Sequence, residues 1–299
     1  MIEQAAAIIR AGGLVAFPTE TVYGLGANAL DERAVERIFA AKGRPATSPL
    51  IVHCADTAMA RSLAAVWPDQ AERLAEHFWP GPLTLVVPKK EMIPGRVTAG
   101  LDTVGLRVPR HPVALALLKA AGVPIAAPSA NPFMGLSPTQ SSHVLPSLAD
   151  LILEGGPAEV GIESTVVSLA GAPTLLRPGM IAIAELERVL GCPLLIASTS
   201  EGAHASPGQH PHHYSPVTRF YLGRPPAAGR GVWLRISQSL GTAHQIQMPV
   251  EPTLYAQRLY DVLHTVDHQG WDWIAAEPPP EAVAWDGIRD RLKRAQHNC

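Results

Sequence analysis

The stretch LVAFPTETVYGLG, residues 14–26, determines how the first part of this chain folds. The run LVAF predicts a short buried strand, and Pro18 then forces the chain into a loop. Polar side chains, Thr19 among them, therefore follow the end of a strand, and Gly24 and Gly26 would let a ligand approach the backbone closely. An ordinary turn between a strand and a helix fits the same residues, because glycines and polar side chains are common in turns.

The composition describes a globular protein without a strong global charge. The chain has 299 residues, 47% of them hydrophobic, which is enough for one large or two modest domains. Its formal net charge is −2, so an anion site must come from a local basic cluster. Cys54, Cys192 and Cys299 have neither metal-ligand nor disulfide spacing. With no signal peptide and no long apolar run, a cytoplasmic location without membrane contact is expected.

The hydrophobic patterns divide the chain into three parts. Strand-like and helical patterns alternate over residues 1–197, which predicts an α/β or α+β domain. Residues 198–216 lack periodicity and are rich in Ser, Gly, Pro and His, as in a linker. Residues 217–299 predict a second, smaller α/β domain. The linker histidines His210, His212 and His213 have no nearby carboxylates or cysteines, so no metal site is predicted.

The tripeptide KGR lies at the end of a predicted helix that begins after Asp31 and ends near Lys42, where Gly43 would stop it. Lys42 and Arg44 would lie on a loop, two residues apart, where they could converge on one phosphate group. The alternative is a solvated helix end, because cations also favour the negative end of the helix dipole.

Other polar residues lie within or next to predicted strands and could share one site with the KGR loop. Ligands of α/β proteins collect at the carboxyl ends of strands. The candidates are His53, Arg107, Ser129, Asn131, Ser164, Thr165 and Arg177. A core histidine and ordinary turns fit the same residues. The sequence has no GxxxxGK[ST], GxGxxG, GxSxG or HExxH motif that would explain the basic loops.

Taken in order, eight motifs resemble the YrdC-type threonylcarbamoyl-AMP synthases along nearly all of residues 1–197. The motifs are FPTETVYGLGANA, AAKGRP, PLIVH, FWPGPLTLVV, DTVGLRVPRHP, PSANPFMGLSPT, GIESTVV and LLRPG. The linker and the closing DRLKRAQ resemble the long members of that family, in which a loop with an HY pair, here His213 and Tyr214, leads to a small C-terminal domain. The resemblance implies a YrdC-like twisted mixed sheet.

The resemblance also implies a reaction and a site. L-threonine, bicarbonate or carbon dioxide, and ATP with Mg²⁺ would give L-threonylcarbamoyladenylate and pyrophosphate, without a tightly bound organic cofactor. Other proteins would transfer the threonylcarbamoyl group to tRNA, with at most a weak tRNA contact by this chain. The implied ATP and adenylate contacts are Lys42 and Arg44, both catalytic, with Ser48, Thr103, Ser129, Asn131, Ser137, Arg177 and Tyr214. The implied L-threonine contacts are Thr19, His53, Arg107 and Ser164.

Two departures from the family pattern stand out. Ser48 occupies a position where family members often have Asn, and EPPPEAVAWDGI lacks the glycine-rich run of the long form. The linker with Tyr214 is expected to act as a lid over the site.

Two other classes of function compete with the synthase. An RNA-binding module would use Arg289, Arg291, Lys293 and Arg294 on the last helix. A solvated helix face is the favoured interpretation, because Asp290 lies among these residues, few aromatics accompany them, and the net charge is slightly negative. A carbamoyl-transfer domain of a maturation protein is disfavoured, because zinc-finger cysteines and an acylphosphatase-like segment are absent from the sequence.

Overall fold

The structure is a computed structural model that describes residues 1–45, 47–197, 214–239, 241 and 244–296. Residues 198–213 of the predicted linker, including the histidine run, lie outside those ranges. The lid prediction for that segment therefore stays a prediction. The predicted architecture is confirmed: a mixed sheet of ten strands belongs to the first part, and a parallel sheet of four strands belongs to the second.

The first part alternates strands and helices as the sequence predicts. Its helices are α1 Ile2–Arg10, α2 Glu32–Lys42, α3 Thr57–Leu63, α4 Asp69–Phe78, α5 Gly95–Thr98, α6 Pro112–Ala121 and α7 Ile183–Leu190. Its strands are β1 Val15–Phe17, β2 Gly24–Asn28, β3 Ile51–His53, β4 Leu83–Pro88, β5 Thr103–Arg107, β6 Ile125–Ala126, β7 Leu151–Ile152, β8 Thr165–Ser168, β9 Thr174–Arg177 and β10 Leu195–Ile196. They are ordered β10-β9-β8-β4-β5-β3-β6-β2-β1-β7.

The second part is a parallel sheet with two long helices. Its strands are β11 Phe220–Leu222, β12 Gly231–Arg235, β13 His244–Gln247 and β14 Trp273–Ala276, ordered β11-β14-β12-β13, and its helices are α8 Pro252–Asp267 and α9 Asp286–Ala295. Of these elements, only β13 has no counterpart among the predicted segments. The first sheet ends at Ile196 and the second begins at Phe220, while the exact domain boundaries at 197 and 217 stay predictions.

Of the two glycines after the PTETVY loop, Gly26 has a different role from the one expected. Gly24 begins β2, which pairs antiparallel with β1, so GLG is strand and not loop. A Cβ on Gly26 would lie 2.7 Å from ring atoms of Phe17 and 2.7 Å from Ile125. Gly26 is therefore needed for packing within the protein, whereas Gly24 does line the cleft described below.

Strands β3 and β5 carry the side chains that matter for the site. Successive side chains of a strand point to opposite faces, so Ile51 and His53 share the cleft face while Val52 is buried in the core. The two strands are parallel neighbours, and His53 is paired with Arg107 in their register. The sheet thus fixes an imidazole and a guanidinium side by side.

The second domain packs directly on the first. Val22, Leu136 and Ile162 belong to the same apolar core as helices α8 and α9. A Cβ on Gly287, in α9, would lie 2.5 Å from the carbonyl oxygen of Gly179, so the two backbones touch. In the part of the chain that is described, no helix is long and apolar enough to cross a membrane.

Candidate active site

A cleft with about 520 Å³ of space, partly open to solvent, collects most of the predicted site residues. Its polar lining comes from the loops after β1 and α2, from the ends of β3, β5 and β9, from the segment after β6, from the loop before β8, and from Tyr214 at the end of the predicted linker. These residues are Thr19, Thr21, Arg44, His53, Arg107, Ser129, Glu163, Ser164, Arg177 and Tyr214. Residues far apart in sequence thus converge on one depression.

Lys42 and Arg44 are buried instead of lying on a solvated loop. Lys42 is the last residue of α2 and is 4% exposed, and its Nζ donates to the carbonyl oxygens of Ser129, at 2.6 Å, and Asn131. Arg44 is 7% exposed and donates through Nη2 to Ser48 Oγ at 2.5 Å and to the carbonyl oxygen of Pro49 at 3.2 Å. Within the described ranges, neither cation has a carboxylate partner.

Burial without a counterion disfavours the charged form of both groups. It holds the pKa of Lys42 well below its usual range, and the nearby Arg44 adds to that effect. Burial likewise lowers the pKa of Arg44 to about 10, a value set also by Tyr214, which raises it, and by Arg177, which lowers it. Arg44 lines the cleft, so a polyanion bound there would offset this cost for Arg44, whereas Lys42 lies behind the lining and reaches it through the carbonyl oxygen of Ser129.

His53 is a neutral imidazole at physiological pH. Burial, followed by the charge of Arg107, lowers its pKa to about 3. Its Nδ1 has no hydrogen-bond partner in the described structure. A buried polar atom without a partner is uncommon, and a ligand in the cleft would supply one.

Arg107 is held by a buried ion pair that the sequence analysis did not assign to the site. Its Nη2 donates to Glu20 Oε1 at 2.7 Å and its Nη1 donates to Thr21 Oγ1 at 2.9 Å. Burial raises the pKa of Glu20, but the charge and hydrogen bond of Arg107, together with backbone hydrogen bonds that include the Arg110 N–H, outweigh burial, so the pKa is lowered overall. Thr19 completes this loop by donating from Oγ1 to the carbonyl oxygen of Val22 at 2.7 Å.

Ser164 and Arg177 form the opposite wall. Arg177 donates from Nε to the carbonyl oxygen of Ser164 at 3.0 Å and from Nη2 to Ser164 Oγ at 3.1 Å. Ser164 Oγ also lies 2.8 Å from Thr84 Oγ1. The serine hydroxyl is therefore fixed by neighbours on β4 and β9.

Glu163 joins the wall to the second domain. Its carboxylate accepts from Ser137 Oγ at 2.5 Å, from Tyr260 Oη at 3.3 Å and from Arg291 Nε at 2.7 Å. Tyr214 is 1% exposed, and its ring lies 5.5 Å from Arg291 Cζ and 6.1 Å from the ring of Tyr260. The second domain thus holds Glu163, a residue that lines the cleft, through Tyr260 and Arg291.

Four further predicted residues lie around the cleft and not in its lining: Ser48, Thr103, Asn131 and Ser137. Asn131 donates to the carbonyl oxygens of Pro132 and Gly135, and its buried Oδ1 has no partner in the described structure. Ser48 contacts Arg44, and Ser137 contacts Glu163. Thr103 lines a separate cavity of about 260 Å³ that adjoins the cleft at Ile51. These assignments stay predictions.

Of the four basic residues named for RNA binding on the last helix, Lys293 is exposed, whereas the three arginines are buried or paired. Arg291 is 1% exposed, Arg289 pairs with Asp286, and Arg294 Nε lies 2.9 Å from Asp290. Buried or paired arginines do not offer free cations to a phosphate backbone. The solvated-face interpretation is wrong for Arg291, and RNA binding by this helix stays a hypothesis.

Sequence reasoning missed Glu20 and Glu163 as site residues, although both lie inside motifs that it singled out, PTETVYG and GIESTVV. Each is a carboxylate in a buried loop beside predicted ligand-binding residues, and that pattern was the available signal. Arg291 gave no such signal. Among the described residues, no group of three or more histidines, cysteines and carboxylates could hold a metal ion.

Comparison with known proteins places this arrangement in a family. Residues 7–179 match the family model Sua5_yciO_yrdC, described as telomere recombination, and residues 181–296 match the model described as threonylcarbamoyl-AMP synthase, C-terminal domain. The chain is 41% identical to the threonylcarbamoyl-AMP synthase of Pyrococcus abyssi, with 98% of this chain and 93% of that protein covered. It is 40% identical to the Bacillus subtilis protein of the same name, with 98% and 92% covered.

A solved structure agrees with these matches. The crystal structure of P. abyssi Sua5 complexed with L-threonine superposes with a TM-score of 0.92 at 40% sequence identity, covering 98% of this chain and 93% of that one. This chain belongs to the threonylcarbamoyl-AMP synthase family, in the long form that carries the C-terminal domain.

Proposed function

We propose that this protein is an L-threonylcarbamoyladenylate synthase, a nucleotidyltransferase that uses L-threonine, bicarbonate or carbon dioxide, and ATP. Membership of the family supports the proposal. The observation that carries it is the pair of buried cations, Lys42 and Arg44, which have no carboxylate partner within the described ranges. Such cations are costly unless an anion completes them.

Lys42 and Arg44 would hold the phosphates of ATP. In phosphoryl and nucleotidyl transfer, catalysis depends mainly on positioning and on neutralising negative charge. Ser48 would orient Arg44 through their 2.5 Å hydrogen bond, in place of a larger amide. Thr103, Ser129, Asn131, Ser137, Arg177 and Tyr214 would contact the rest of the adenylate.

The other end of the cleft would hold L-threonine. Thr19, His53, Arg107 and Ser164 offer a hydroxyl, a neutral imidazole, a guanidinium and a second hydroxyl. Because Glu20 is paired with Arg107, this end combines one cation with one carboxylate. A zwitterionic amino acid fits such a balanced site better than a polyphosphate does.

The reaction needs no covalent protein nucleophile. The threonine ammonium first loses a proton to solvent, and the resulting amine nitrogen bonds to the carbon of bicarbonate or carbon dioxide. With bicarbonate one water molecule is lost, and with carbon dioxide a second proton is released, so that either route gives the carbamate anion. A carbamate oxygen then bonds to the α-phosphorus of ATP while the bond between that phosphorus and the bridging oxygen breaks, so pyrophosphate leaves. Mg²⁺ would enter with the ATP phosphates and help to neutralise them.

The product would be consumed by proteins that transfer the threonylcarbamoyl group to tRNA, and any contact of this chain with tRNA would be weak. Burial of Tyr214 against the cleft is compatible with the predicted lid, because exclusion of water would protect a labile carbamate and a mixed anhydride. The cytoplasmic location stays a prediction.

Pyrophosphate release from ATP, with Mg²⁺ and bicarbonate, tests the proposal. We expect release that depends on L-threonine and is much weaker with L-serine. Release that is the same without any amino acid would contradict the synthase assignment.

A further inference from the structure

A single arginine of the second domain reaches the wall of the cleft. Arg291 is the largest side chain that is almost fully buried, at 1% exposure. It donates from Nε to the Glu163 carboxylate at 2.7 Å, from Nη2 to the Glu163 carbonyl oxygen at 3.0 Å, and from Nη1 to the Pro178 carbonyl oxygen at 2.8 Å. The guanidinium therefore holds both the side chain and the backbone of Glu163.

Glu163 is a carboxylate in a cleft for anionic substrates. It lines the same space as Arg44 and Arg177, and the next residue is Ser164. Burial raises the pKa of Glu163, but Arg291 and then Arg177 outweigh burial and lower it. The carboxylate thus stays charged at neutral pH, where it would repel the phosphates of ATP if it had no counterion.

Arg291 is well placed to cancel that charge. Burial disfavours its charged form, but Glu163 leads the groups that reverse this effect and raise its pKa above the ordinary value. Asp290 is a further partner, 2.9 Å from Nη1. The charged and titratable groups that face Glu163 are Arg177 on β9, Arg291 and Asp290 on α9, Tyr260 on α8, and Tyr214.

We propose that Arg291 is a positioning residue for the synthase reaction, which the second domain supplies to neutralise and orient Glu163 so that ATP can occupy the cleft. This inference rests on the proposed function. It explains why a residue far from the catalytic loops in sequence reaches the site, and it makes the second domain a component of the nucleotide site.

A purely structural role for Arg291 would give different results. Helix α9 also docks through the backbone contact of Gly287 with Gly179, so loss of Arg291 could simply loosen the domain. Such loosening would lower stability regardless of the charge on Glu163. Neutralisation, by contrast, depends on that charge.

The experiment uses the full chain and four variants. Arg291→Met removes the charge, Arg291→Lys keeps it, and Glu163→Gln combined with Arg291→Met removes both charges. Arg289→Met is the matched control, because Arg289 lies on the same helix but pairs with Asp286, away from the cleft. For each variant we would measure kcat, the KM values for ATP and L-threonine, the ATP dissociation constant by calorimetry, and the Tm.

For Arg291→Met we expect the ATP dissociation constant and KM to rise about tenfold or more, with a smaller change in the KM for L-threonine. Adding Glu163→Gln should restore most of the ATP affinity, and Arg291→Lys should bind ATP better than Arg291→Met even if its Tm is lowered. The ATP affinity of Arg291→Met should also improve as the pH falls, because Glu163 would then become protonated, and the double variant should lack this pH dependence.

The proposal is overturned if the double variant binds ATP no better than Arg291→Met, or if Arg289→Met causes the same loss. If Arg291→Met does not fold, the Arg291→Lys variant provides the test. An ATP affinity at least tenfold below that of wild type, in a folded Arg291→Lys protein, would refute the proposal that the charge of residue 291 neutralises Glu163. Wild-type protein that binds ATP but shows no threonine-dependent turnover would refute the proposed function instead, and the ATP dissociation constants would still judge Arg291.

Discussion

Replacing Lys42 with methionine should separate nucleotide binding from folding. The ammonium group is buried, and its hydrogen bonds go to the carbonyl oxygens of Ser129 and Asn131. Methionine keeps an unbranched chain of similar length but removes the charge. The substitution therefore tests the cation itself more than the packing around it.

The two effects of this change differ in size. One unit charge in contact with a phosphate, at about 4 Å and an effective dielectric constant of about 20, contributes about 4 kcal/mol, or roughly 1000-fold in affinity. For folding, two effects of Lys42→Met oppose each other. The variant loses two hydrogen bonds from a charged donor, which destabilises it, but it no longer buries an ammonium without a counterion, which stabilises it. We expect these to leave a change of about 2 kcal/mol or less in the free energy of unfolding.

Calorimetric titration with ATP and Mg²⁺, together with urea unfolding, would measure both quantities. Lys119→Met is the matched control, because Lys119 lies in the last turn of α6 and is exposed. We expect a 100- to 1000-fold loss of ATP affinity for Lys42→Met only. An affinity within threefold of wild type, or a loss explained by unfolding of the variant, would refute the reasoning.

A bound polyphosphate should raise the lowered pKa of Lys42, so ATP binding at alkaline pH should be accompanied by proton uptake. Calorimetry in buffers of different ionisation enthalpy would detect this uptake, and Lys42→Met should abolish it. Glu20→Gln should lower the free energy of unfolding by about 3–5 kcal/mol at pH 7 by leaving Arg107 without its partner. Since the pKa of Glu20 is lowered from 4.5, this stabilisation is complete above pH 4.5 and lost as the pH falls further, so the difference between wild type and variant should shrink in acid. L-threonine binding should show no inflection near pH 6.5 from His53, whose pKa is about 3; an inflection that disappears in His53→Gln would contradict this.

The sequence predicted the elements that depend on local patterns. LVAF, LIVH and VGLRVP became buried strands because their apolar runs and the residues that end them are local signals. His53 and Arg107 could be placed at strand ends for the same reason. Their adjacency required the pairing of β3 with β5, which no local pattern specifies.

The burial of charged residues could not be predicted in this way. Lys42 ends a helix, a position where a solvated lysine is ordinary, and only the approach of the segment after β6 buries it. Arg291 occupies a helix with alternating charges that looks solvated. Its partner Glu163 lies 128 positions away, so the pair exists only after the domains dock.

The most direct measurement follows the carbon of bicarbonate into the product. The protein would be incubated with ¹³C-bicarbonate, L-threonine, ATP and Mg²⁺, and the products would be analysed at once by mass spectrometry. The account predicts an adenylate that carries both the isotope label and the threonine mass, formed together with pyrophosphate. Consumption of ATP that yields only unlabelled AMP or ADP would contradict it.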